Sequence, residues 1–66
     1  MERAEIEAAV EAEKSKADPS EPTGSCTIRV FGLDPVCTNG MTFESCAAVA
    51  ASVGGIQEWK EGGRCP

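Results

Sequence analysis

A chain of 66 residues with a formal net charge of −5 is long enough for one small domain and too short for a large hydrophobic core. Six basic against eleven acidic side chains leave it without the basic surface of nucleic-acid-binding proteins, and no stretch approaches the roughly 20 apolar residues of a membrane span. The sequence contains no histidine and hence no Ser-His or Cys-His catalytic pair. We therefore expect neither an enzyme nor a cofactor.

The first 25 residues form an acidic arm that contains no cysteine. Residues 2–17 are mostly strong helix formers, but their apolar stripe is narrow and centres on Ile6 and Val10. Prolines and small polar residues follow at 18–25, which is typical of a linker. We expect an arm over 1–25 that is either disordered or a helix docking on a partner through Ile6 and Val10. Its start lacks the basic and apolar regions of a signal peptide, so we expect no such signal in this chain.

The remaining residues, 26–66, form the predicted domain and contain all four cysteines. β-Branched and aromatic residues at 27–31 favour extended structure. Asn39 and Gly40 form the dipeptide that most strongly indicates a two-residue hairpin turn, so we expect a small hairpin centred there.

An alanine-rich helix is expected next, over residues 44–53. Glu44 or Ser45 can cap its start, and the glycine pair that begins at Gly54 ends it. Residues 56–60 then favour a strand. The predicted fold class is small α+β, with a short helix packed on a small antiparallel sheet.

The cysteines have two competing roles, metal ligation and disulfide formation. Intervals of ten, eight and eighteen residues separate Cys26, Cys37, Cys46 and Cys65, whereas zinc sites use close pairs such as C-x2-C, so we expect no metal. Free thiols in a reducing compartment are one alternative. The even count in a chain with a weak core favours disulfides and an oxidising compartment, either secreted or an organelle lumen. The spacing alone leaves three connectivities open.

The cysteine-bearing part contains a characteristic order of segments: Cys26-Thr27-Ile28-Arg29, Asp34-Pro35-Val36-Cys37, Asn39-Gly40-Met41-Thr42-Phe43, Cys46-Ala47-Ala48, Ile56 and Gly63-Arg64-Cys65. Over residues 26–65 this order resembles the Kazal-type serine protease inhibitors, which share Asp-Pro-Val-Cys, a turn, Thr-aromatic and a cysteine that opens a helix. Family members usually have six cysteines. The first and fifth, which pair with each other, are absent here, so the resemblance implies the disulfides Cys26–Cys46 and Cys37–Cys65.

The resemblance implies that a loop after Cys26 inserts into a serine protease as a substrate does, and that the loop residues are Thr27, Ile28, Arg29 and Val30. The family's spacing places Ile28 in the specificity pocket, whereas the chemistry of Arg29 suits a trypsin-like pocket. A competing interpretation makes Ile28, Val30 and Phe31 partly packed strand residues. Arg29 is then a solvated charge.

A second function remains open at this stage. The ten residues between Cys26 and Cys37 form a longer loop than is typical of the family. Because a fold does not determine a function, the alternative hypothesis is a non-inhibitory accessory or structural subunit of a larger assembly. Such a subunit docks through this lengthened loop and the N-terminal arm.

Overall fold

The computed structural model describes residues 2–66, so Met1, the first residue of the predicted arm 1–25, lies outside the described residues. In chain order the elements are α1 Arg3–Lys16, β1 Thr23–Arg29, β2 Val36–Thr42, α2 Phe43–Val53 and β3 Ile56–Glu61. The predicted fold class, a small disulfide-rich α+β domain with a short helix packed on an antiparallel sheet, is confirmed.

Strand β1 is the middle of the sheet and pairs antiparallel with both β2 and β3. Its Cys26 and Ile28 are buried in the core that the helices cover. Because side chains alternate along a strand, Thr27 and Arg29 point to the opposite side of the sheet. Paired residues share a face, so Cys37, which lies opposite Thr27, is also on that side. We call it the open face and define it by Ser25, Thr27, Arg29, Cys37 and Glu58.

The predicted hairpin at Asn39 and Gly40 is wrong. Strand β2 runs through both residues, and the shift in its pairing with β1 makes them a β-bulge opposite Ser25. Gly40 has a φ of 71°, but Asn39 does not have a positive φ, whereas the expected turn requires one at both residues. Pairing with β1, a contact distant in sequence, therefore overrides the local turn preference.

The boundaries of helix α2 are set by Thr42 and Gly54. The Thr42 Oγ1 accepts a hydrogen bond from the backbone N–H of Ser45 at 3.1 Å and donates one to the Ser45 hydroxyl at 2.8 Å. The N-cap is thus Thr42, one residue before the helix and not the predicted Glu44 or Ser45. Gly54 ends the helix in the left-handed conformation, with a φ of 68°, as predicted.

Helix α1 belongs to the domain, which corrects the predicted boundary at residue 26. Ile6 and Val10 are 0 % and 5 % exposed and lie in the same core as β1 and α2, so they are covered by the chain itself and are not free to dock on a partner. Strand β1 also begins earlier, at Thr23. A narrow stripe suffices here because α1 packs on the alanine-rich α2, whose short side chains allow two helices to approach closely.

The two disulfides join different layers of the domain. Cys26–Cys46 connects β1 to α2 inside the core, and Cys37–Cys65 connects β2 to the C-terminal segment 62–66 on the open face. These are the two pairs that the resemblance implies. They are consistent with an oxidising compartment. Within residues 2–66, neither helix has the length and apolar character required to cross a membrane.

Candidate binding surface at the β1–β2 loop

The residues predicted to bind a protease lie mainly in the central strand. Thr27 pairs with Cys37 on one side and Glu58 on the other, and Ile28 is likewise paired on both sides and only 1 % exposed. A substrate-like loop must offer a free backbone and an exposed side chain. The expected exposed position of Ile28 is therefore corrected, because the same β-branched pattern suits an extended loop and a buried strand equally well.

Arg29 and Val30 lead out of the strand. The Arg29 guanidinium lies 3.8 Å from the Glu58 carboxylate across the open face, and both side chains are more than half exposed. Such an exposed ion pair contributes about 0–1 kcal/mol. Val30 is half-buried and packs against the core. The structure thus brings Arg29 to the surface but engages it in an ion pair with β3.

The loop between β1 and β2 is held by a tight turn at its tip. The backbone N–H of Leu33 donates to the carbonyl of Val30 at 3.0 Å, and Gly32, the second central residue, has a φ of 86°. A positive φ at this position alone is the mark of a type II turn, which glycine adopts without strain. Val30 and Leu33 both pack against the core, so the base of the loop is anchored while its tip projects.

Phe31 occupies that tip with its side chain in solvent. Its exposure of 104 % is the largest among the exposed bulky hydrophobic residues of the described chain. Ile56, 72 % exposed, pairs with Arg29 at the first position of β3 and therefore lies at the same end of the sheet. We call Phe31 and Ile56 the loop-end patch.

Phe43, the third exposed bulky hydrophobic residue, differs from the loop-end patch in having an aromatic partner. Its ring meets Trp59 edge to face, with centroids 5.6 Å apart, and it remains 54 % exposed. It begins α2 at the opposite end of the sheet, where Thr42 pairs with Thr23. Substitutions at Phe43 can therefore serve as matched controls for substitutions at Phe31.

The role of Phe31 differs from the sequence expectation, in which it belongs to an extended segment at 27–31. The glycine that follows was the available signal, because a residue before Gly32 in a short loop between strands often occupies the first central position of a type II turn. Full exposure could not be read from the sequence, since it depends on how Val30 and Leu33 anchor the loop.

The electrostatics around the loop-end patch are mildly negative. Asp34 is exposed in the same loop, and Glu58 is exposed on β3. The last turn of α2, which leads into β3, contains no basic residue to offset the partial negative charge of a helix C-terminus. Arg29 is the cation of this end and is paired with Glu58.

All four cysteines are in disulfides, which leaves no thiolate to hold a metal. Among residues 2–66, no group of three or more cysteines and carboxylates is arranged as a metal site. What the loop end offers chemically is an apolar contact surface bordered by the exposed Asp34 and by the Arg29–Glu58 ion pair.

Comparison with protein-family models, with curated proteins and with solved structures found no match for this chain. The resemblance to Kazal-type inhibitors stays a prediction, and function is inferred from the geometry of the chain.

Proposed function

We propose that the protein is a non-inhibitory binding module that docks on a larger protein assembly through the loop-end patch. The observation that carries the proposal is the complete exposure of Phe31 on a tip with a fixed backbone. Single exposed hydrophobic residues are common, but here Ile56 lies at the same end. Among residues 2–66, Phe31 also has no shielding neighbour comparable to Trp59 at Phe43. Aromatic anchors of this kind dominate the energy of protein interfaces.

The backbone of the loop is already ordered in the free protein. Its turn hydrogen bond and the packing of Val30 and Leu33 fix the position from which Phe31 projects. Little backbone entropy is then lost on docking. Burying the phenylalanine side chain contributes about 1.5–3 kcal/mol, a factor of about 10–150 in affinity.

The partner surface we infer is an apolar pocket with a basic rim. The pocket accepts Phe31, and lysine or arginine side chains at its edge face Asp34. Complementary charges at such an exposed rim accelerate association more than they strengthen binding, and salt screens them. We place the encounter in an oxidising compartment, extracellular or in an organelle lumen, where the two disulfides can form.

Serine protease inhibition through residues 27–30 has less support. The backbone of Thr27 and Ile28 is already paired with two neighbouring strands. Presenting it to a protease requires β1 to leave the sheet and Ile28 to leave the core. The exposed tip is a turn closed from Val30 to Leu33, which differs from the extended backbone that a protease cleft binds.

The experiment uses a photo-crosslinking analogue of phenylalanine at position 31, and in a second protein at position 43 as the matched control. Each protein is irradiated in an extract of the cells that produce it. We expect an adduct from position 31 that is absent from position 43. Unlabelled wild type and Phe43→Ala should compete for the adduct equally, whereas Phe31→Ala should need about 10- to 150-fold more protein.

Two outcomes contradict the proposal. If Phe31→Ala competes at the same concentration as wild type, Phe31 is not the anchor of the interaction. Inhibition of a trypsin-like, chymotrypsin-like or subtilisin-like protease by micromolar oxidised protein restores the inhibitor hypothesis instead.

A further inference from the structure

The two disulfides differ sharply in their surroundings. Cys26 is 1 % exposed and Cys46 is 0 % exposed, and both belong to the hydrophobic core. Cys37 and Cys65 are only half-buried and lie outside that core, on the open face. A reductant in solution can therefore reach the second disulfide without disturbing the first, because exchange requires direct access of a thiolate to a sulfur.

The segment that contains Cys65 is held by few contacts. The N–H groups of Gly62 and Gly63 donate to the carbonyls of Thr23 and Lys60, both at 3.0 Å, and Gly63 passes close to the Ser25 side chain. Residues 64–66 are held by the hydrogen bond from the Cys65 N–H to the Asn39 Oδ1 at 2.7 Å. A shallow groove of about 410 Å³ opens beside this crossing, lined by Asn39 and Gly63 among others. No side chain of residues 62–66 belongs to the core, so Cys37–Cys65 is the covalent link that ties this segment to β2.

We propose that Cys37–Cys65 is a site of thiol–disulfide exchange with a dithiol reductant, and that its reduction releases residues 64–66 from the open face. In the first step a thiolate of the dithiol attacks one sulfur, forming a mixed disulfide and expelling the other cysteine as a thiolate. The second thiol of the reductant, as a thiolate, then attacks the reductant's own sulfur in the mixed disulfide and expels the remaining cysteine as a thiolate. Two electrons and two protons pass in total to the chain, which gains two thiols, and the reductant leaves as a disulfide.

Reduction at this site leaves the remainder of the domain intact. Cys26–Cys46 still joins β1 to α2, and the core residues contributed by both helices and the sheet keep their contacts. The change is confined to the open face, where Cys37 loses its bond to Cys65 and the end of the segment that follows Gly63 becomes free to move away. The protein thus has two folded covalent states that differ in an accessible surface.

The test is reduction of the full chain with graded dithiothreitol under native conditions, followed by alkylation and peptide mapping. We expect a species to accumulate in which Cys37 and Cys65 are alkylated and Cys26–Cys46 is intact. In that species, hydrogen exchange at Arg64 and Cys65 should rise while the β1 amides stay protected. Simultaneous loss of both disulfides, earlier opening of Cys26–Cys46, or unchanged exchange at Arg64 and Cys65 overturns the proposal.

A pair of variants isolates the anchor of the segment. Asn39→Ala removes the acceptor for the Cys65 N–H and should accelerate reduction of Cys37–Cys65 about 2- to 10-fold, the effect of one hydrogen bond. Asn39→Asp keeps an acceptor oxygen and adds a negative charge that strengthens the hydrogen bond and repels a thiolate, so it should react no faster than wild type. Acceleration of Cys26–Cys46 reduction by Asn39→Ala contradicts the proposed separation of the two sites.

Discussion

Replacing Ile6 with alanine tests whether α1 is part of the domain. The Ile6 side chain is fully buried, at 0 % exposure, in the core shared with β1 and α2. Truncating a buried isoleucine to alanine costs about 2–5 kcal/mol, from lost apolar burial and the cavity that remains. In a domain of this size a loss of about 3 kcal/mol lowers Tm by about 12–24 °C. Urea and thermal unfolding of the oxidised chain measure both quantities.

The matched control is Glu7→Ala, one residue away on the exposed side of α1. It removes only the contact with Arg3, at 3.9 Å between two exposed side chains, and should change the unfolding free energy by less than about 0.5 kcal/mol. Ile6→Val, which removes a single methylene, should cost about 0.5–1.5 kcal/mol. If Ile6→Ala behaves like Glu7→Ala, and a chain that begins at Ser20 melts like the full chain, α1 is an independent arm and the single shared core is refuted.

Three further predictions concern the tip, the helix cap and a titrating turn. Phe31→Ala should leave the free energy of unfolding within about 0.5 kcal/mol of wild type, because the side chain is wholly exposed; a larger loss in urea unfolding means that the ring packs on the domain. Thr42→Ala removes the N-cap of α2 and should cost about 1 kcal/mol, whereas Thr42→Ser should retain most of that stability. The hydrogen bonds from the backbone N–H and the hydroxyl of Ser20 hold the pKa of the Asp18 carboxyl below its ordinary value. The stability that these bonds provide is therefore present at neutral pH and is lost as the pH falls through the lowered pKa. Ser20→Ala removes the hydroxyl and should raise the pKa of Asp18 in an NMR titration, and an unchanged pKa contradicts a role for that hydroxyl.

Elements with local boundary signals were predictable from the sequence. Helix α2 is rich in alanine and is followed by Gly54, and the strand at residues 56–60 was recognised from its own pattern. These signals lie within a few residues of the elements they define. The pairs Cys26–Cys46 and Cys37–Cys65 were implied by a resemblance, since spacing alone allowed three connectivities.

Features that depend on distant parts of the chain were not predictable in the same way. Asn39 and Gly40 form a bulge because β2 pairs with β1, whereas the dipeptide alone favours a hairpin turn. Ile6 and Val10 were recognised as the only apolar stripe of α1, but the sequence does not show that α2 covers them. The candidate binding site differs from the predicted loop 27–30 for the same reason. Pairing on both sides makes Ile28 a central strand residue, and the exposed residues lie in the loop that follows.

The central claim is that β1 is paired with a strand on both sides, so that the loop that follows it, and not β1 itself, binds the partner protein. Hydrogen exchange of individual amides, followed by NMR on the oxidised chain, tests this most directly. The account predicts slow exchange at Thr27 and Ile28, whose strand is paired on both sides, and fast exchange at Phe31 and Gly32 on the exposed tip. Exchange at Thr27 and Ile28 as fast as at the tip would contradict the account, because it would show the free loop that a protease inhibitor needs.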